Sequence, residues 1–178
     1  DENRVLTYFG MQVYQQSPRP GLMALLGERK QRAITVTDLV FRVAPRINEA
    51  GRMNHGTYAV ELLLSETTEE ASKRAEAIEA FNEDRKALDR DITEQALAQI
   101  EESGQTNKTS TVVYDPDWHK GVIGIVASRL IETHYKPTVV FTRSGDVLTA
   151  SARSIRGFDL YAALSECQEH MIQFGGHK

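Results

Sequence analysis

The chain has 178 residues, of which 40% are hydrophobic, and its formal net charge is −4. This is enough apolar material for one domain or two small ones, but no run of about 18 apolar residues occurs, which excludes a membrane-spanning helix. The single cysteine, Cys167, excludes an internal disulfide and favours a reducing compartment, so we expect a cytoplasmic protein in which Cys167 is a small core residue.

The acidic residues are concentrated in one segment of the chain. Residues 66–102 carry 12 acidic and 5 basic side chains, a net charge of −7, which leaves the rest of the chain at +3. Because local fields rather than the total charge steer a polyanion, the net negative charge does not exclude a nucleic-acid partner.

The first 65 residues are predicted to be mostly helical. Helices are expected over residues 3–16, 22–27 and 57–64, and a further helix is expected to start at Thr37 or Asp38 and to run toward Ala44. The intervening segment at residues 17–21 contains two prolines and a glycine, which break the first helix.

Pro45 and two later glycines predict a structured loop before the helix at 57–64. The loop contains Arg46, Asn48 and Arg52. Arginine presents a planar fork that matches phosphate oxygens, and asparagine can both donate and accept hydrogen bonds, so these residues form a candidate phosphate site. The alternative is a loop whose arginines pair with local acids such as Glu49.

An unbroken helical pattern follows a capping box at residues 67–70 and continues to about Glu102. Its apolar residues recur at helical spacing, and no glycine or proline interrupts it. At about 1.5 Å per residue the helix would be ~50 Å long, too long for the interior of a small domain. We interpret residues 66–104 as a linking helix that separates two bodies, docks on one apolar stripe and exposes its acidic side chains.

From residue 105 onward the pattern alternates between strand and helix. Strands are predicted over residues 109–114, 137–142 and 147–155, and helices over 121–134 and from Asp159 to about His170. The predicted fold is therefore α/β, with a helical N-terminal segment, a long linking helix and a sheet flanked by helices. Because the sequence stops where a loop or strand should continue, we expect the domain at residues 105–178 to be incomplete at its C-terminus.

The segment WHKGVIGIVASR at residues 118–129 joins the first predicted strand to a nearly all-apolar helix. His119 and Lys120 stand beside the helix start at Gly121, where backbone N–H groups without helical partners favour an anion. The missing side chains of Gly121 and Gly124 would let a ligand come close, and they would equally allow tight packing of the helix against the sheet.

Ser151 and Arg153 lie two residues apart on the third predicted strand and therefore point to one face of the sheet. A hydroxyl and a guanidinium on one face form a compact candidate anion site, and the alternative is an exposed polar strand face. Tyr114 and Trp118 are candidate platforms for stacking single-stranded bases, although core packing is favoured for Tyr114.

No motif for a catalytic metal occurs in the sequence. The five histidines do not stand in HExxH, HxxEH or Asp-His-His arrangements, and there is neither a cysteine cluster nor a P-loop. The group DPDWH at residues 115–119 contains carboxylates and a histidine, but we interpret it as a polar turn after a strand in preference to a divalent-metal site.

Four motifs in series carry a resemblance to a known family: RINEAGRM at 46–53, the segment at 118–129, SARS at 151–154 and GGH at 175–177. Together they closely resemble the RecJ family, single-strand-specific 5′→3′ DNA exonucleases of the DHH phosphoesterase superfamily. The resemblance spans almost the whole chain. It implies a hydrolase of DNA repair and recombination that acts on single-stranded DNA and uses Mn²⁺ or Mg²⁺.

The resemblance also implies where the metal centre lies. RecJ-like enzymes place their metal-binding Asp and His residues in an N-terminal DHH domain, and DENR at residues 1–4 resembles the sequence just past it. Residues 1–65 would then be a helical extension of a missing DHH catalytic domain, and residues 105–178 would be part of a DHH-associated domain. The chain alone is expected to bind no metal and to be inactive.

Several site residues are implied by the same resemblance. The Arg46, Asn48 and Arg52 segment would lie near the nuclease cleft, and the segment with Ser151 and Arg153 would hold the DNA 5′ end and its phosphate. Gly175 and Gly176 would bind substrate as part of the Gly-Gly-His motif. His177 of that motif would approach the scissile or a neighbouring phosphate as a catalytic residue.

Two other functions stay open at this point. One is a DHH-family phosphodiesterase that acts on short oligonucleotides or cyclic dinucleotides, and the other is a non-catalytic module that binds nucleic acid or a protein partner. The long helix at 67–102 and the segment at 118–129 favour the RecJ family. DNA-repair proteins are possible partners, no membrane partner is expected, and the sequence leaves the oligomeric state open.

Overall fold

The computed structural model describes residues 2–27, 34–53 and 56–176. The chain divides into two compact units, Asp1–Lys86 and Ala87–Lys178, with the boundary inside one long helix. The predicted fold class is confirmed, because the chain is mostly helical and contains a three-stranded sheet flanked by helices. Within the described ranges, no helix is both long and apolar enough to cross a membrane.

The first unit is built from helices. Its elements are α1 (Glu2–Gln16), α2 (Pro20–Leu26), α3 (Val36–Asp38), a π-helical turn (Leu39–Val43), α4 (Ala44–Arg52), α5 (Gly56–Leu64) and the first half of α6 (Thr68–Glu102). Apolar side chains from α2, α4, α5 and α6 form its core, in which Leu25, Leu62 and Ile78 are fully buried. Removing these side chains from water is the main stabilising contribution to this unit.

The prediction of a structured loop after Pro45 is wrong, because residues Ala44–Arg52 form helix α4. Pro45 lies in the first turn of α4, where its missing N–H costs no helical hydrogen bond. The predicted helix start at Thr37 or Asp38 is also displaced. Thr35 caps α3: its hydroxyl accepts the Asp38 N–H at 3.3 Å, and the Asp38 carboxylate accepts the Thr35 N–H at 2.9 Å.

The second unit contains the sheet. Its elements are the second half of α6, a 3₁₀ turn (Gln105–Asn107), β1 (Thr111–Tyr114), α7 (Ile123–His134), β2 (Thr138–Ser144), β3 (Val147–Arg153), α8 (Leu160–Ser165) and a second 3₁₀ turn (Gln168–His170). The strand order is β1-β2-β3, with β1 parallel and β3 antiparallel to β2. Helix α7 makes the crossover between the two parallel strands and packs on β2 and β3.

Helix α6 begins and ends close to the predicted positions. The Thr67 hydroxyl accepts the Glu70 N–H at 3.2 Å, which is one of the two hydrogen bonds of the predicted capping box. Most of its acidic side chains are exposed, but Asp89 is 1% exposed. Both oxygens of Asp89 accept hydrogen bonds from Arg129 of α7 at 2.7 to 3.0 Å, and these bonds raise the pKa of the Arg129 guanidinium. The pair fixes α7 to the second half of α6.

Three expectations for the second unit are corrected. Asp159 caps α8 as predicted, by accepting the Ala162 N–H at 2.9 Å, but the helix ends at Ser165 and does not continue to His170. Cys167 is exposed and is not a core residue. Tyr114 is 41% exposed, so the core packing favoured for it is wrong.

Trp118 is 5% exposed, and its indole N–H donates to the Gln95 side chain at 2.8 Å. A buried ring with a satisfied N–H packs within the fold and offers no open face for a base. Of the two candidate stacking platforms, only Tyr114 is therefore accessible.

Candidate phosphate-binding site

The pairing of β2 with β3 determines to which face of the sheet the side chains of Ser151 and Arg153 point. Its register pairs Ser151 with Val140 and Arg153 with Thr138. Residues paired across antiparallel strands point to the same face, and Val140 and Thr138 are fully buried. Ser151 and Arg153 therefore lie on one face of the sheet, as the sequence predicts.

The first two turns of α7 contact these strand residues. A methyl group added at Gly124 would lie 3.2 Å from Nη2 of Arg153 and 3.3 Å from Oγ of Ser151. One turn later, the Ser128 hydroxyl accepts a hydrogen bond from Nε of Arg153 at 3.2 Å. Gly124, Ser128, Ser151 and Arg153 form the α7–β3 cluster. Gly124 thus permits close packing of the helix against the strand, at the point where the polar side chains meet.

Among the described residues, no carboxylate pairs with Arg153. The side chain is exposed, and its hydrogen-bond acceptors are two neutral oxygens, Oγ of Ser128 and the Ala152 carbonyl at 2.9 Å. Val122, the residue before α7, provides no side-chain cap, and the N–H groups of Val122 and Ile123 donate to the His119 carbonyl at 2.9 and 3.3 Å. The start of the helix therefore contributes the positive end of its dipole and not a row of free N–H groups. An exposed guanidinium beside hydroxyls and a helix start can bind a phosphate without first breaking an ion pair.

His119, Lys120 and Gly121 form the turn that leads into α7. Nδ1 of His119 accepts the Gly121 N–H at 3.2 Å, and the His119 carbonyl accepts the Val122 N–H at 2.9 Å. Lys120 is exposed. In the described part of the chain, no hydrogen bond joins these three residues to the α7–β3 cluster, so His119 stabilises the turn and their substrate-binding role stays a prediction.

The structure does not bring Arg46, Asn48 and Arg52 together. Asn48 and Arg52 are four residues apart on α4 and share one face of that helix. Arg46 instead donates to the Leu25 carbonyl, and its Nε lies 3.3 Å from the Glu79 carboxylate. Arg46 therefore ties α4 to α2 and α6, and its acidic partner is the distant Glu79 and not a local acid such as Glu49.

Glu49, the acid suggested as a partner for these arginines, pairs with a different residue. Its carboxylate lies 3.3 Å from Nη2 of Arg85, a guanidinium that is almost completely buried and also donates to Asn82 at 3.1 Å. Breaking a pair of this kind would leave a buried charge without compensation, so we interpret Arg85 as structural.

The Gly-Gly-His motif is only partly described. Gly175 and Gly176 are exposed and lie in a segment without regular secondary structure, and His177 lies outside the described residues. Their roles in substrate binding and catalysis stay predictions.

The described residues do not fit a resident metal. Among residues 2–27, 34–53 and 56–176, no group of three or more His, Cys, Asp and Glu side chains could hold an ion. The Asp115 carboxylate accepts the Asp117 N–H at 2.8 Å, which is the hydrogen bond of a polar turn. No reaction step is therefore assigned to a metal held by these side chains.

Comparison with known proteins identifies the family. Residues 107–178 match the DHHA1 domain. Over 99% of its length the chain is 36% identical to the single-stranded-DNA-specific exonuclease RecJ of Bacillus subtilis (strain 168). The chain belongs to the RecJ family.

Solved structures of RecJ-family proteins share the fold. Crystal structures of RecJ from Thermus thermophilus in complex with Mn²⁺ and with Mg²⁺ match 99% of the chain at 28% identity, with TM-scores of 0.79 and 0.78. The chain covers 23% of the Bacillus protein and 26% and 27% of the two Thermus chains, so it spans about a quarter of the length of these relatives.

The substitution Gly124→Ala should leave the RecJ-family fold intact while disturbing the α7–β3 cluster. The new methyl would meet the end of the Arg153 side chain and the Ser151 hydroxyl, which can both turn away. Alanine is favoured over glycine in helices, so urea unfolding should show an unchanged free energy or a gain of up to about 1 kcal/mol. If the cluster holds a DNA 5′ phosphate, affinity for 5′-phosphorylated single-stranded DNA should fall, because the guanidinium is displaced.

The matched control is Gly10→Ala, since no described atom lies within 4 Å of the added methyl. It should change stability in the same direction and leave DNA affinity unaltered. Loss of folding in Gly124→Ala, or DNA affinity equal to that of Gly10→Ala, would contradict the assignment.

Proposed function

We propose that this chain is the part of a RecJ-type 5′→3′ exonuclease that binds single-stranded DNA and holds its 5′ phosphate. The observation that carries the proposal is the α7–β3 cluster, in which the Arg153 guanidinium is exposed and, among the described residues, hydrogen-bonded to neutral oxygens alone. The name of the Bacillus relative, a single-stranded-DNA-specific exonuclease, supports the same substrate class.

The cluster suits a terminal phosphate for three reasons. Arg153 can donate two parallel hydrogen bonds to phosphate oxygens, and the Ser151 hydroxyl on the same strand face can donate a third. The start of α7 adds partial positive charge next to them. A phosphate at the end of a strand carries more negative charge than a diester within it, so the cluster should favour the end.

Hydrolysis itself is proposed to depend on residues outside this chain. RecJ structures have been solved with Mn²⁺ and with Mg²⁺, whereas the described residues contain no cluster of metal-binding side chains. We therefore assign to this chain the binding and orientation of DNA. The metal-dependent cleavage of phosphodiesters would require the part of the protein that the chain does not cover.

We propose the domain organisation from the similarity of the chain to RecJ-family proteins. Residues 1–65 would extend the catalytic domain, residues 66–104 would link it to the rest, and residues 105–178 would form the DHH-associated domain. The match of residues 107–178 to the DHHA1 domain supports the last of these assignments. A cytoplasmic location and partners among DNA-repair proteins are part of the proposal.

The chain alone should bind single-stranded DNA without degrading it. The expected result with 5′- and 3′-labelled oligonucleotides and Mn²⁺ or Mg²⁺ is retention of full-length DNA, together with measurable binding that weakens as salt rises. Metal-dependent shortening that co-purifies with the chain would overturn the location of catalysis. Stronger binding of cyclic dinucleotides than of single-stranded DNA would favour the other DHH-family phosphodiesterases.

A further inference from the structure

Strand β1 lies at an edge of the sheet, and half of its backbone groups point away from the neighbouring strand. The Thr111 N–H donates to the Pro137 carbonyl at 2.9 Å, which shows that Thr111 faces β2. Backbone groups alternate in direction along a strand, so the N–H and C=O groups of Val112 and Tyr114 face outward. An outward row of this kind is where another strand can add to a sheet.

Two glutamine side chains occupy these outward groups. Gln105 accepts the Val112 N–H through Oε1 at 2.8 Å and donates to the Val112 carbonyl through Nε2 at 2.8 Å. Gln99 makes the same pair with Tyr114, at 2.9 Å to the N–H and 3.0 Å to the carbonyl. Each carboxamide thus supplies the acceptor and the donor that a peptide group of an added strand would supply.

Both glutamines are held in position by other contacts. Nε2 of Gln105 also donates to the Ser103 hydroxyl at 2.9 Å, and its backbone carbonyl accepts from Lys136 at 3.3 Å. Gln99 precedes Ile100, which is 1% exposed and anchors the last turns of α6. The Ser103 contact restricts the Gln105 side chain, and the buried Ile100 fixes the backbone beside Gln99, which lowers the conformational entropy lost when the two side chains bind the strand.

We propose that Gln99 and Gln105 close the β1 edge and prevent a second copy of this chain from adding its own β1 to the sheet. The edge is self-complementary, because two antiparallel copies would offer each other the same donors and acceptors. The strand sequence TVVY is rich in β-branched residues and uncharged, and Val112 and Tyr114 are 48% and 41% exposed. This role is independent of DNA and of the proposed function.

The test uses the double substitution Gln99→Ala/Gln105→Ala in the 178-residue chain. Sedimentation velocity over a concentration series should show self-association at a concentration at least about tenfold lower than for the parent chain. The control is Gln95→Ala, since Gln95 lies on the same helix but binds the Trp118 indole and not the strand. The control should associate no more than the parent.

A third substitution separates edge pairing from association caused by unfolding. Val112→Pro, added to the double variant, removes an outward donor and is tolerated at a strand edge, so it should restore the behaviour of the parent. If the double variant does not fold, as judged by circular dichroism, the same measurements are made on Gln105→Ala alone. A folded variant that associates no more than the parent, or association that Val112→Pro does not suppress, would overturn the proposal.

Discussion

Arg153→Ala is expected to weaken the binding of 5′-phosphorylated single-stranded DNA by the full-length RecJ-family protein about tenfold or more, and to affect 5′-hydroxyl DNA less. A charge-assisted hydrogen bond contributes about 1.5–3 kcal/mol, which corresponds to this change in affinity. Among the described residues, the acceptors that Arg153 uses are neutral, so turning the guanidinium to the phosphate breaks no ion pair with any of them. Binding isotherms with the two DNAs at one fixed salt concentration measure the difference.

Two further variants make the result specific. Arg153→Lys should recover only part of the affinity, because an ammonium lacks the planar fork of the guanidinium. Arg143→Ala removes an exposed arginine from the end of β2 and should act weakly on both DNAs. If Arg153→Ala weakens binding of both DNA ends equally, Arg153 is a general contact to the DNA backbone and does not recognise the 5′ end.

Elements determined by local sequence were predicted well. Helix α6 carries its own start signal at Thr67 and Glu70, and no glycine or proline interrupts its apolar pattern, so its bounds follow from nearby residues. The shared face of Ser151 and Arg153 follows from the alternation of side chains along a strand. Neither prediction required knowledge of which elements pack together.

Features that depend on distant parts of the chain could not be predicted in this way. Pro45 is compatible with a loop or with the first turn of a helix, and the sequence pattern alone does not separate the two. The direction of Arg46 depends on the Leu25 carbonyl and the Glu79 carboxylate, which belong to two other helices. Packing therefore directs Arg46 away from Asn48 and Arg52, with which the sequence grouped it as a candidate phosphate site.

The exposure of the two aromatic candidates depends on the sheet topology. Tyr114 is exposed because it points to the face of β1 opposite the buried Thr111 and Val113. Trp118 is buried and bonds to Gln95 of α6. Ser128 was missed as a site residue, although its spacing of four from Gly124 places both on one face of α7. The spacing indicates that Ser128 lies near Arg153 only once β3 is known to pack against the face of α7 that carries Gly124 and Ser128.

Gly21→Ala is expected to give the largest loss of stability among single substitutions of a glycine by alanine in the described part of the first unit. A methyl group at this position would lie 2.0 Å from the Leu62 carbonyl oxygen and 2.8 Å from the Leu62 carbonyl carbon. Both atoms belong to the backbone of α5, so no side-chain rotation relieves the clash. Helix α2 would have to move away from α5 and expose the buried side chain of Leu25.

Overpacking of this kind typically costs about 1–3 kcal/mol, and we expect about 3 kcal/mol or more because backbone meets backbone. Urea unfolding followed by far-ultraviolet circular dichroism measures the change, since the first unit is helical. Gly10→Ala is the control: it lies within α1, meets no described atom within 4 Å, and should raise stability by up to about 1 kcal/mol because alanine is the better helix former. Equal urea midpoints for the two variants would show that α2 does not approach α5 as closely as the structure places it.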